Sequence, residues 1–240
     1  MATSARLLRV PPFERGLTLA DFLVPIRVSE RISARIRNLA LVVLGTVVIT
    51  IGAWISFDVP AVALPFGLYL PANPYVPITL QTFGVLVVGA SLGFKRGTTS
   101  SGLYVLLGIA GLPVFAADPA TGIHPTGLAR IAQVEGGHLV LGTTGGYLIG
   151  FIVAAALVGR LAELGWDRTV GASLAAMIIG EVVIITLGVA WLAVAIGAPL
   201  DVAATYGLWP FLPGDLLKLL AAAGALPLGW WIVNRRPSDR

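Results

Sequence analysis

The chain has 240 residues, 57% hydrophobic and 12% charged, with a mean hydropathy of +0.90, far on the apolar side of a soluble domain. Its 16 Lys and Arg against 12 Asp and Glu give a net charge of +4, but the arginines border apolar stretches instead of forming a basic patch with interleaved aromatics, so no nucleic-acid partner is expected. Cysteine is absent, which excludes disulfides, Cys-based metal sites, thioether-attached haem and thiol nucleophiles.

Residues 1–37 read as a basic leader. They carry Arg6, Arg9, Arg15, Arg27, Arg31, Arg35 and Arg37 and lack the apolar core with a small-residue cleavage site that marks a signal peptide. Val28, Ile32 and Ile36 recur every fourth residue. Two readings stay open: a short amphipathic helix on an anionic lipid leaflet, or a solvated leader.

Residues 38–240 read as one transmembrane domain. A helix needs roughly 20 apolar residues to cross the hydrocarbon core, and six windows meet or approach that length: 39–57, 79–94, 98–115, 139–161, 170–196 and 211–233. The second is short enough to need protein neighbours. Basic residues near span ends stay on the cytoplasmic side. The leader, Lys95 with Arg96, Arg160 with Arg168, and Arg235, Arg236 and Arg240 all fall on one face if there are six spans, leaving only Arg130 outside. The expectation is an all-α, multi-pass membrane protein surrounded by lipid, a six-helix bundle with both termini cytoplasmic.

Two outer loops stand out. Five prolines (Pro60, Pro65, Pro71, Pro74, Pro77) between the first two spans rule out regular helix and favour extended, turn-rich backbone, as in a lid. The loop 116–138, with Pro119, Pro125 and several glycines, is long, and long structureless loops are commonly functional.

Several residue groups could carry chemistry. Asp215 and Lys218 share one helix face one to two turns into the last span, where ionisable groups are costly and mark functional sites by default. Internal neutralisation, or a lysine snorkelling to the interface, is the structural alternative. Glu181 stands in the fifth span without a local partner; a hydrogen bond to a neighbouring helix, a proton relay and a ligand contact are all open. The run Gly142-Thr143-Thr144-Gly145-Gly146-Tyr147 lacks the Gly-Lys-Ser/Thr ending of a phosphate loop. Its glycines suit close helix contact or backbone exposure to a ligand. With no nucleotide motif in the chain, any transport must draw energy from partners or an ion gradient. Glu135 and His138 have no second histidine nearby to complete a metal set. No Gly-x-Ser-x-Gly elbow is present, and Ser100 and Ser101 read as helix-packing residues.

The string Val76-Pro77-Ile78-Thr79-Leu80-Gln81-Thr82-Phe83, followed by Gly108-Ile109-Ala110-Gly111-Leu112-Pro113-Val114-Phe115-Ala116, resembles the BioY family, the biotin-capturing S components of energy-coupling-factor (ECF) transporters. The run from Gly142 to Phe151 is similar to that family's Gly-Pro-Thr-Gly-Gly-Tyr motif, and Pro213-Gly214-Asp215-Leu216-Leu217-Lys218 resembles its last-helix signature. The resemblance implies a six-helix S component in a prokaryotic plasma membrane that binds biotin from outside. It also implies work with an ECF transmembrane coupling protein and two ATPase subunits, with no cofactor and no chemistry on the ligand. It places Asp215 and Lys218 in ligand recognition, Asp215 toward the ureido head, with Gln81, Thr143, Thr144, Gly145 and Tyr147 as further binding positions. Three departures stand beside it. Thr143 replaces the usual proline, the loop 116–138 is longer than usual, and the Ala-x-x-x-Ala docking pattern of S components is not found in the first span. An S component for a different vitamin, an intramembrane enzyme using Glu181 or the Asp215–Lys218 pair as acid and base, and a scaffold whose charges only fix packing are the alternatives.

Overall fold

The computed structural model describes residues 18–23, 34–57, 61–63, 69–70, 72–118 and 121–235. The expected amphipathic helix through Val28 and Ile32, together with Pro60, Pro65, Pro71, Pro119 and the tail from Arg236, lies outside these residues.

Seven α-helices are described: α1 (Leu19–Leu23), α2 (Ala34–Trp54), α3 (Gln81–Ile109), α4 (Gly145–Glu163), α5 (Val170–Ile196), α6 (Leu200–Gly207) and α7 (Leu212–Arg235). Among the described residues, α2, α4, α5 and α7 are each long and apolar enough to cross a membrane. Their burial pattern is that of a protein solvated by lipid. On α2, Leu41, Gly45, Ile49 and Ala53 recur at fourfold spacing and are buried, while Leu39, Val43, Leu44, Val47 and Ile51 on the opposite face are exposed. An outward row of large apolar side chains has no use in water and costs nothing in a bilayer.

The second and third expected spans are the two limbs of α3. At Gly93 the backbone leaves the helix (φ 80°, ψ −178°), a region essentially reserved for glycine, and the chain folds back on itself. A Cβ on Gly97 would stand 2.8 Å from the Cα of Gly89, whereas residues eight apart on a straight helix lie about 12 Å apart. The contacts that follow set the directions of the helices. Gly45 of α2 faces Val88 and Leu92 while Gly52 faces Leu80, so α2 and the first limb of α3 run antiparallel. Gly89 meets Ala155 and Gly93 meets Gly159, so that limb and α4 run parallel. Gly146, Gly150 and Val158 meet Leu187, Ile184 and Gly180 in turn, making α4 and α5 antiparallel. Helix α7 packs on α5 and α3, and α1 packs on α3 and α7. Ser100 is a packing residue, its hydroxyl donating to the Val42 carbonyl at 3.0 Å.

The loops expected to lie outside are more regular than the sequence suggests. Strands β1 (Ser56–Phe57) and β4 (Ile78–Thr79) pair antiparallel, as do β2 (Val62–Ala63) and β3 (Tyr69–Leu70). Residues 139–141, read above as the start of the fourth span, instead belong to β6 (His138–Leu141), which pairs with β5 (Ala132–Glu135). The two-residue turn Gly136-Gly137 has positive φ at both positions (58° and 83°), the backbone that twists a hairpin correctly. Glu135 and His138 are the strand partners that close this turn. The third span ends earlier than expected, at Ile109, and α6 is an element the sequence reading did not contain.

Candidate functional site

A cavity lies among α3, α4, α5 and α7 beneath the loops that carry Val76, Phe115 and Arg130. Val76, Phe115, Phe151, Ile185 and Phe211 give it apolar walls. Four of the sequence-nominated residues line it: Gln81, Thr144, Tyr147 and Lys218.

Helical spacing assembles the charged part. Asp215 sits in the first turn of α7 and Lys218 three residues on; the Lys218 ammonium donates to Asp215 Oδ1 at 2.8 Å, with side-chain exposures of only 7% and 4%. Lys218 also reaches Thr82 Oγ1 at 3.5 Å, so its cation bridges α7 to the start of α3. Asp215 itself borders a second cavity, between α5 and α7, which Glu181 and Thr186 also line. Glu181 therefore has the neighbour that its own helix does not offer.

Gln81, in the first turn of α3, is 5% exposed, and its Nε2 has no hydrogen-bond partner. Beside it, Tyr104 is fully buried, its hydroxyl next to Gln81 but without a hydrogen bond of normal geometry. Tyr147 lines the wall, but its hydroxyl is committed to the Gly207 carbonyl at 2.8 Å, which ties α4 to α6. Thr143 and Gly145 stand outside the cavity lining. The Thr143 hydroxyl donates to the Tyr75 carbonyl at 2.8 Å, and Gly145 lies under the ring of Trp191. Trp191 in turn donates to the Gly142 carbonyl at 2.8 Å. The glycine run thus lets α4 approach α5 at contact distance: a Cβ on Gly146 would lie 2.4 Å from the Leu187 carbonyl oxygen.

Arg130 is a lining residue that the sequence reading left without a role. It ends a short 3-10 helix (Leu128–Arg130), is 9% exposed, and donates to Asp118 Oδ2 at 3.1 Å. Burial lowers its pKa and Asp118 opposes that shift; a guanidinium remains cationic in any case. The available signal was its position, since Arg130 alone broke the one-sided distribution of basic residues. Tyr104 and Thr82 gave no such signal, because nothing in a helical sequence says which hydroxyls converge.

The site therefore joins a buried ammonium–carboxylate pair and the loop cation Arg130 through an aromatic-walled space. It offers donors and acceptors for a small polar-headed molecule, and among the described residues its lining shows no paired nucleophile and base. The BioY family model matches residues 27–235. The biotin transporter BioY of Thermotoga maritima is 38% identical over 179 residues, 74% of this chain and 86% of that protein. The biotin transporter BioY of Rhodobacter capsulatus is 34% identical over 68% of this chain and 78% of that protein. A crystal structure described as the S-component for biotin from an ECF-type ABC transporter matches with a TM-score of 0.61 over 84% of this chain and 97% of that one, at 24% identity, a likeness of fold. This multi-pass membrane protein belongs to the BioY family.

Proposed function

We infer that the chain is the biotin-binding S component of an uptake transporter, a transport subunit and not an enzyme. The observation that carries this reading, beside the family, is the buried Lys218 ammonium at the cavity, held at 2.8 Å by Asp215 behind it. Biotin is a ureido ring with two N–H donors and one carbonyl, an apolar bicycle and a flexible chain ending in a carboxylate. Lys218 donates to the ureido carbonyl and Asp215 accepts from its N–H groups. Phe115, Phe151 and Phe211 enclose the bicycle. Gln81, Thr144 and the free Tyr104 hydroxyl supply neutral hydrogen bonds, and Tyr147 shapes the wall. Thr143 and Gly145 act from behind, holding the start of α4 against the loop and α5. Arg130 is the cation for the carboxylate.

Six crossings then consist of α2, the two limbs of α3, α4, α5 and α7, with the cavity toward the outside and both termini in the cytoplasm of a prokaryotic cell. The energy comes from an ECF coupling protein and two ATPase subunits, since the chain has no nucleotide motif.

Titration of the purified protein with biotin and with biotinamide tests this. Reversible biotin binding is expected, with biotinamide weaker on wild type by roughly fivefold, about 1 kcal/mol, and equal to biotin on Arg130→Gln. Failure to bind biotin together with tight binding of another vitamin would reject the ligand and keep the transport class.

A further inference from the structure

Glu181, in the middle of α5, takes no part in the cavity assigned to biotin. It is 7% exposed, and its Oε1 is buried without a hydrogen-bond partner. Across the second cavity it faces Asp215 of α7, which lines the same space. Asp215 spends Oδ1 on Lys218 and leaves Oδ2 buried and unpartnered. Elsewhere this space is lined by residues such as Ile178, Val182, Leu212 and Leu216, with Thr186 as its other polar side chain. Among the described residues, the ionisable groups that face Glu181 are Asp215 and Lys218, both on α7.

Two carboxylates and one ammonium would leave a net negative charge in apolar surroundings, which is expensive. One proton neutralises the group and turns an acceptor into a donor aimed at the other carboxyl. Asp215 already holds the lysine, so the proton resides on Glu181.

We propose that Glu181 is a positioning residue for the ligand site, a neutral acid on α5 that donates to Asp215 and fixes that carboxylate between Lys218 and the ligand. This rests on the reading of Asp215 and Lys218 as the biotin-recognising pair. The ligand pocket thereby gains a brace from a helix that supplies no charged group to the pocket itself. It also explains how a lone carboxyl is tolerated mid-helix: its charge is absent and its proton is used.

Glu181→Gln keeps an N–H donor at this position and Glu181→Leu removes it. Biotin titration and thermal unfolding are measured on both, with infrared difference spectra of the ligand-free proteins. Glu181→Gln is expected to bind biotin within a few-fold of wild type. Glu181→Leu should bind about tenfold to a hundredfold more weakly, the effect of losing a hydrogen bond to a charged group. Its melting temperature should fall modestly, because Asp215 loses a buried donor, while that of Glu181→Gln should hold. The wild-type spectrum should carry a carboxylic-acid carbonyl band that disappears in Glu181→Gln. Wild-type affinity in Glu181→Leu, equal losses in both variants in step with melting temperature, or no acid band assignable to Glu181 would each overturn the proposal. The band is read without biotin, so it decides the protonation even if wild type prefers another vitamin, and the affinities are then read with that vitamin.

Discussion

The two ends of the helix bundle treat buried polar groups differently. At the Gly93 end, most buried charged groups have a specific partner, with single atoms such as Arg37 Nε and Asp167 Oδ1 left over. Arg96 grips Asp21 through both terminal nitrogens at 2.7 and 2.8 Å and adds Thr18 at 2.8 Å. Glu163 accepts from the Phe94 amide at 2.9 Å. Trp230 donates to Asp167 at 2.6 Å, while the Arg168 guanidinium lies 4.0 Å over its ring. At the cavity end, Gln81 Nε2, the Tyr104 hydroxyl and Asp215 Oδ2 are buried without hydrogen bonds. Buried polar groups are normally satisfied, so the first end reads as a fastening and the second as capacity held for a ligand.

The strongest way to break this contrast is to cut the pair at the cavity. Removing one member of a buried ion pair costs about 3–5 kcal/mol, so Lys218→Met should lower the melting temperature sharply and abolish biotin binding. Adding Asp215→Leu should restore most of the stability and none of the binding. If binding returned with stability, the cavity end would be as structural as the other.

A smaller effect is expected at the turn. Gly93→Ala forces a non-glycine residue into its extreme backbone region, costing about 1–3 kcal/mol, and places a Cβ 2.6 Å from Thr18 Cγ2. Unfolding should come earlier while biotin affinity holds. A parallel loss of affinity would show that the ends are coupled.

The smallest effect separates the ends by pH. Burial alone would raise the Asp21 pKa, but the hydrogen bond and charge of Arg96, with Thr18, outweigh it and hold it below the ordinary value. A lowered carboxyl stabilises the fold above the unfolded pKa, about 3.9, and loses that contribution as pH falls through the folded value. Wild type should therefore exceed Asp21→Asn by about 1 kcal/mol at neutral pH, and the gap should close below about pH 4. Unfolding curves at a series of pH values check this.

The legible parts of the sequence were those governed by local pattern. Hydropathy located the long apolar helices, and the three-residue spacing of Asp215 and Lys218 was enough to place them in contact. The edges were harder. Residues 139–141 are as apolar as a span, yet Gly136-Gly137 turns them into a strand, because turn chemistry overrides composition. The roles of Tyr104 and Thr82 and the cavity shared by Glu181 and Asp215 arise from helices that meet through tertiary packing, and no spacing within one helix reports them. Thr143 shows the reverse: its motif marked the right region, while its hydroxyl was already committed to the Tyr75 carbonyl.

The short helix α1 lies before the stretch matched by the family model, which starts at residue 27. Yet Thr18, Leu19 and Ala20 are buried, and Phe22 packs edge-on against Trp230 at 5.3 Å. Trimming the chain to the family boundary would therefore not remove an inert extension. It would uncover the Trp230 ring and strip Arg96 of its counter-ion, leaving a cation and an aromatic surface open at the end of the bundle. A shortened protein that aggregates or melts early would then reflect a missing wedge and not a defect in ligand recognition, so binding comparisons across this family are sound for this member only when its leader is kept.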